Sequence, residues 1–524
     1  MDNCVYNFNP TIFIHTDKIY SLIRQESNVV DWLSSQFSYI LNTHDILFNI
    51  VNSTKCKFRI KDEIFSEIIR NDISGFKYII EDIKIIDCLS NYKKVIGVSN
   101  ILLQTNPRLF RVGLVSIDVE NATINLLNLL ECENMHSDEK NWFFYKYNEI
   151  IFVITKLFPK LVIYTLDLNT YVLLHYKTVD TYDSIKDTDI INDLSKYYKD
   201  IYLSPCINGI SIAKDKLIIM CKKKTLDYSY KYYFLILCLN THQIFLVNKV
   251  YLSGKKLYIN SINYVYNRLI KCTGINDKEY SITHFKIKIN LIHSHNFCGN
   301  VANFIISSLT NSDKFQIQYN NNDSDVVLLS GGYDLATAED NSFIYGTGFI
   351  SDKKDFSCKK LIVCAVLGPL TKTILEREAI YVPEVYGNNI LLLPLLYRPI
   401  IYNNINNKIG LITNETYKDI EMEKYHTIDI CAHWQIVVNK ISSSKYLISA
   451  SLYGLICADA YNIPNIWLDE KTNAETEFEF KDYFLSQNRP YIKISRLSDF
   501  DEKLLYSKGN TIDLLKLKEA FPFL

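Results

Sequence analysis

Residues 446–468 of this chain, YLISASLYGLICADAYNIPNIWL, hold the clearest chemical opportunity in the sequence. An apolar strand at 446–448 passes through Ser449, Ala450 and Ser451 into helical spacing over 452–461. A strand, a tight turn and a helix start leave backbone N–H groups unpaired at the positive end of the helix dipole, which seats an anion. The same local pattern also fits a buried strand–helix unit of any α/β domain. Groups titrating near neutrality are offered by His293, His295, His426 and His433, and cations by Arg377, Arg398 and Lys372. What these can do depends on the elements that carry them.

A chain of 524 residues is too long for one core and implies two or three domains at roughly 100–200 residues each. Hydrophobic residues make up 48%, enough for buried cores and against disorder. Lys+Arg at 57 balance Asp+Glu at 58, so there is no basic footprint for nucleic acid. The 13 cysteines are scattered, and no pair stands at metal-ligand spacing, so they read as reduced core residues with no metal site. Neither a signal peptide nor a membrane span is apparent, which places the protein in the cytoplasm. Scarce glycine with abundant Ile, Asn, Lys and Tyr matches an AT-rich genome such as that of a large DNA virus, whose product would work in the host cytoplasm.

Residues 1–289 read as many short strands rich in Ile, Val, Tyr and Phe, split by Asn/Asp/Lys turns. That is an all-β domain, a propeller or a sandwich. Asn7-Phe8-Asn9-Pro10 with Ile23-Arg24-Gln25, then Asn106-Pro107-Arg108, then Asn141-Trp142 resembles blade motifs of five-bladed carbohydrate-active propellers. The resemblance implies a sugar pocket lined by Asn9, Arg24, Asn106, Arg108 and Trp142. Asn106 stands where a carboxylate is usual, and an amide is no acid or base at neutral pH, so glycosidic cleavage there is not expected. Binding remains open to it, because Asn, Arg and Trp supply hydrogen bonds and a stacking face.

Residues 290–524 change grammar: short continuous strands alternate with helical stretches at 301–309, 369–377, 433–440 and 451–461. Alternation of this kind means an α/β domain with parallel strands, whose sites lie beyond the strands' carboxyl ends. The succession His295-Asn296-Phe297-Cys298-Gly299-Asn300-Val301-Ala302-Asn303, Tyr345-Gly346-Thr347-Gly348, Leu367-Gly368-Pro369-Leu370-Thr371 and Ser451-Leu452-Tyr453-Gly454 resembles the polysaccharide pyruvyl transferase family. Glu479-Phe480-Lys481-Asp482-Tyr483-Phe484 extends the match in family order.

The resemblance implies a GT-B-like fold and transfer of pyruvate from phosphoenolpyruvate to two sugar hydroxyls as a ketal. It places substrate contacts at Ser451, Leu452, Gly454, Leu367, Gly299, Asn300 and Asn303, with Tyr453 as the catalytic position and His295 as a second candidate. Phosphoenolpyruvate brings a phosphate and a carboxylate, so cations and a titrating group are needed. Yet Leu367 replaces the family Arg, Tyr453 the His and Asn300 an Asp. Leucine offers an anion nothing, and a phenol of reference pKa about 10 is a poor base.

The expected protein is therefore multi-domain, an all-β five-bladed propeller-like half followed by an α/β GT-B-like half. Its expected function is carbohydrate modification of the pyruvyl transferase type, with altered or lost activity. A catalytically inactive glycan-binding or assembly scaffold is one alternative, and glycosyl transfer or phosphorolysis in the propeller another. The partner is a glycan or polysaccharide, phosphoenolpyruvate the candidate donor, and no cofactor is required.

Overall fold

The structure is a computed structural model that describes residues 6–524 apart from 17, 27–36, 45–49, 61–78, 87–89, 91–93, 106–107, 133–141, 158–159, 181–203, 206–209, 214, 225–229, 251–256, 266–267, 276–278, 295, 320–323, 325, 333, 353–355, 357, 414–422 and 471–473. The chain divides into two compact units, Met1–Ser211 with Asp215–Lys286, and a second built on Ile287–Leu524.

Strand Phe143–Tyr147 shows how the first unit is made. Its side chains alternate, so Phe143 and Tyr145 enter one apolar cluster while Phe144 enters another, and all three are buried. Cover on both faces is why such strands read as near-continuous apolar runs. Among the described residues, five largely antiparallel sheets follow in chain order, beginning with Tyr6–His15, Lys57–Ile60, Phe143–Tyr147, Ser204–Pro205 and Leu257–Val265. One apolar cluster joins the first sheet to the second, another the second to the third, and another the third to the fourth. Strand Tyr6–His15 also packs on Leu257–Val265 and Arg268–Ile275 of the last sheet. The succession is propeller-like, the first four sheets packed in turn and the first meeting the last.

The second unit holds two five-stranded parallel sheets. The first has the order Phe315–Tyr319, Ile287–Ile292, Val326–Leu329, Ser342–Thr347, Leu361–Val366. The other has the order Tyr425–Thr427, Ile409–Ile412, Tyr446–Ser449, Asn465–Leu468, Lys493–Ile494. In each, the chain leaves the first-formed strand in one direction and returns on its other side. Each sheet therefore has a topological switch point where the loops diverge. The helices are α1 (Phe297–Leu309), α2 (Pro369–Arg377), α3 (Trp434–Ser442), α4 (Leu452–Ala460), α5 (Ala474–Ser486) and α6 (Leu514–Glu519).

Helix α4 is apolar nearly all round and is buried from Gly454 to Ala460. Its one charge, Asp459, is fully buried and receives the Asn465 amide at 2.7 Å, the Tyr483 hydroxyl at 2.8 Å and Arg489 Nη1 at 3.2 Å. The Arg489 guanidinium lies between the rings of Phe484 and Tyr506, 4.2 and 4.6 Å from their centroids. Burial raises the Asp459 pKa, while Arg489 and the two neutral donors pull it down. The network joins α4 to α5 and to the segment after it.

The apolar spacing of the closing stretch 502–521 implies one or two amphipathic helices, of which one short α-helix with a buried Leu517 is present. The stretch forms a 3₁₀ turn at Glu502–Leu504 and the short α6, because Asp501 and Asp513 each cap a new helix start. Between them Gly509, at φ +65°, turns the chain tightly against Asn462. Cys56, Cys221, Cys238, Cys298, Cys358, Cys364 and Cys457 are buried free thiols. Among the described residues no helix is long and apolar enough to cross a membrane.

Removing one partner of a buried pair strands the other charge, at a cost of about 3–5 kcal/mol. Asp459→Ala is expected to lose stability on that scale in urea denaturation, and Asp459→Leu with Arg489→Met much less. Equal losses in the single and double variants would refute the role given to this pair.

Candidate functional site

Strand Val326–Leu329 runs into Ser330-Gly331-Gly332, and both glycines are left-handed, at φ +66° and +71°. A Cβ on Gly331 would stand 2.6 Å from that of Ala302 on α1, and one on Gly332 would stand 2.6 Å from the Tyr453 hydroxyl. Both positions therefore require glycine for conformation and for space. Gly332 leaves the switch point of the first sheet and Tyr453 that of the second. Their contact brings the two sets of loops together.

Tyr453 sits in the first turn of α4. Ser449 prepares that turn: its Oγ accepts the Ser451 N–H at 3.0 Å and donates to the Ser451 carbonyl at 2.8 Å. No side chain caps the start of α4, so the positive end of its dipole remains open. The Tyr453 hydroxyl donates to Glu479 Oε1 on α5 at 2.6 Å. Burial, then the Glu479 carboxylate, push the phenol well above the usual tyrosine range, so it acts as a donor only. Burial also raises Glu479, the Tyr453 bond opposes it, and Asp334 and Asp482 add to it, leaving this carboxyl at about 7. A carboxyl that changes protonation near neutrality is thus placed where the loops meet.

One turn further along α5, Asp482 closes a different helix start. Its oxygens accept from the Leu370 N–H at 2.7 Å, the Thr371 N–H at 3.3 Å and the Thr371 hydroxyl at 2.6 Å. The first turn of α2 is therefore filled by the protein's own carboxylate. Burial raises Asp482 to about 6 against these donors. Gly368 permits the approach, since a Cβ there would lie 2.1 Å from the Asp482 carbonyl oxygen.

The expected site residues divide into those that reach this loop cluster and those that do not. Tyr453 and Ser451 are half-buried at it, and Asn300 is exposed at the start of α1. Leu367 does not line it: the side chain is 1% exposed, packed where a cation was wanted. Leu452 is likewise core, and Gly454 is packed against Ile412 and Ser449. Gly299 is a close-approach position, where a Cβ would meet the Ser294 carbonyl oxygen at 1.6 Å. Asn303 turns to Tyr319 and Ser307, accepting at 2.5 and 3.2 Å, and serves helix-to-strand packing. His295 lies outside the described residues.

Of the other groups, His426 is buried against Ser444, and burial lowers it to about 4. His433 begins α3 and stacks on Trp434. Lys372 pairs with Glu384 and Glu376, while Arg377 joins Lys481 on the rim of a separate cleft of about 320 Å³. Among the described residues, none of these cations bonds to Tyr453 or Glu479. No cluster of three or more His, Cys, Asp or Glu among them is placed to hold a metal.

In the first unit Arg24 is buried on strand Lys18–Glu26. Trp142 is 3% exposed inside the cluster between the second and third sheets, so it presents no stacking face to a sugar. Asn9 and Arg108 lie on strands Tyr6–His15 and Arg108–Asp118, while Asn106 is outside the described residues.

Glu479, Asp482 and the Gly331-Gly332 pair are not among the positions expected from sequence. The glycines carried a signal, two of a scarce residue directly after a four-residue apolar strand. Glu479 and Asp482 lie in the 479–484 stretch that the resemblance includes, but no role was read for either, since an acidic residue on a helix is ordinarily a solvated one.

No protein-family model matches this chain and no curated protein matches it, so the pyruvyl transferase resemblance gains no support from either. Among solved structures, a glycosyl hydrolase from Bacteroides ovatus is similar at 11% identity, covering 54% of this chain and 85% of its own, with a TM-score of 0.39. A mannose phosphorylase from Leishmania mexicana is similar at 9% identity, covering 54% and 84%, with a TM-score of 0.33. A GH43_1 enzyme from Xanthomonas citri is similar at 6% identity, covering 61% and 93%, with a TM-score of 0.35.

Glu479 and Asp482 bind protons more tightly in the folded chain, at about 7 and about 6, than at unfolded values of about 4. The folded state then holds the extra protons, so their contribution to stability falls as pH rises through 4 to 7. Glu479→Gln is expected to match the wild-type melting temperature near pH 4.5. At pH 8 its stability should exceed that of the wild type by about 1–3 kcal/mol, with a higher melting temperature. A difference independent of pH in thermal melts would contradict the buried-carboxyl account.

Proposed function

We propose that this protein modifies carbohydrate, its second unit a GT-B-like transferase that acts at a sugar hydroxyl and has given up phosphoenolpyruvate as donor. The observation that carries this reading is the contact of the two switch points at Gly332 and Tyr453. Ligands of open α/β sheets bind at such points, and here two of them face one half-buried set of polar groups. The order of loop motifs along the sequence, which resembles that of the pyruvyl transferase family, is in keeping with a sugar as the acceptor. The propeller-like unit fits a glycan-handling module.

Against phosphoenolpyruvate stands the charge of the lining. Asp334 and Asp482 are the charges that weigh on Glu479, Leu367 is core, and the α2 start is already occupied. A donor carrying a phosphate and a carboxylate would meet like charge, and like charges disfavour ionised neighbours. The closed α2 start also favours the second reading, a glycan-binding or assembly scaffold without turnover.

Incubation of the full chain with phosphoenolpyruvate and a panel of neutral glycans is expected to release no phosphate above the blank. Phosphate release coupled to a ketal product in mass spectra would overturn the loss of that donor.

A further inference from the structure

Four side chains bear on the Glu479 carboxyl from the elements around it. They are Tyr453 of α4, Asp334 of the loop after Val326–Leu329, Asp482 of its own helix and, through Tyr453, Cys298 of α1. Each of the other three acidic groups is committed. Asp482 accepts three hydrogen bonds at the start of α2. Asp334 Oδ1 accepts from the Ala336 N–H at 3.2 Å, capping a 3₁₀ turn. The Cys298 thiol is fully buried beside the Asn388 amide. Glu479 differs from them. Oε1 takes the Tyr453 hydroxyl, whereas Oε2 accepts from no described residue, and the side chain is half-buried rather than sealed.

Its position is also held. One turn along α5, Asp482 anchors the helix to α2, and Tyr483 and Arg489 anchor it to Asp459 of α4. Gly332, without a side chain, lets the Tyr453 hydroxyl pack against its backbone. A carboxylate with one oxygen fixed and the other free, on an anchored helix, has the geometry general-base chemistry requires.

We infer that Glu479 is the proton acceptor of this site, taking the proton of a sugar hydroxyl on Oε2 while Tyr453, as a positioning residue, holds Oε1. The hydroxyl O–H bond breaks, an O–H bond forms on Oε2, and the electron pair stays on the sugar oxygen as a nucleophile. The inference rests on the carbohydrate reading above. Burial supports it by keeping this carboxyl near neutrality, where it is both ionised in part and basic enough to act.

The test is calorimetric titration of the full chain with neutral xylo-, manno- and gluco-oligosaccharides between pH 5.5 and 8.5. Hydroxyl donation favours the ionised carboxyl, so wild-type affinity should rise about tenfold or more across that range, with a proton released on binding at pH 7. Glu479→Gln should flatten the profile and abolish proton release. Tyr453→Phe, which removes one donor to the carboxylate, should move the midpoint to higher pH. A Glu479→Gln profile identical to wild type would overturn this inference and leave the carbohydrate reading standing. Failure of the wild-type chain to bind any of these sugars would overturn both.

Discussion

The hydrogen bond from Tyr453 to Glu479, laid across Gly332, is the contact on which the second unit's loop cluster is built. Tyr453 leaves the second parallel sheet at its switch point, Gly332 leaves the first at its own, and Glu479 approaches on α5. None of these is free to move by itself. Gly332 is set by a left-handed backbone, Tyr453 by the serine-bonded turn before α4, and α5 by the Asp459–Arg489 pair and the Asp482 cap. On α5 it is Tyr483, bonded to Asp459, that ties the helix to α4, and this contact and the Asp482 cap flank one hydrogen bond of 2.6 Å.

The electrostatics of the site follow from burial rather than from net charge. A chain with nearly equal numbers of acids and bases has gathered Asp334, Glu479 and Asp482 around one loop cluster. Burial raises the proton affinity of Glu479, Asp334 and Asp482 add to it, and the Tyr453 donor offsets only part of the effect. Asp482 satisfies the start of α2 internally, and that of α4 keeps no side-chain cap. A site of this kind suits a neutral hydroxyl-bearing ligand better than a dianion.

Much of the architecture was legible because it is local. The strand, turn and helix around 446–461 appear as Tyr446–Ser449 and α4, and 369–377 is the helix Pro369–Arg377. Helix α1 begins four residues before the periodic stretch 301–309, since Asn296 caps it by accepting the Gly299 N–H and a glycine in the first turn hides the start. Where chain direction is decided by tight caps, as at 502–521, periodicity marked a helix but overstated its length. Trp142 and Leu367 were misplaced for a related reason: a residue type says what a side chain offers, and only the packing says whether it faces a cavity or a core.

The sequence by itself determined the two kinds of grammar, the strands buried on both faces and the strand–helix alternation, because hydrophobic period is a short-range property. It also fixed the identities of Leu367 and Tyr453, which stand where the pyruvyl transferase resemblance alone would put a guanidinium and an imidazole. Only the tertiary structure decided that Glu479, 26 residues beyond Tyr453, would share a proton with it, and that Asp482 would fill a helix start 111 residues before it. Burial and long-range contact set both, and neither leaves a trace in local spacing.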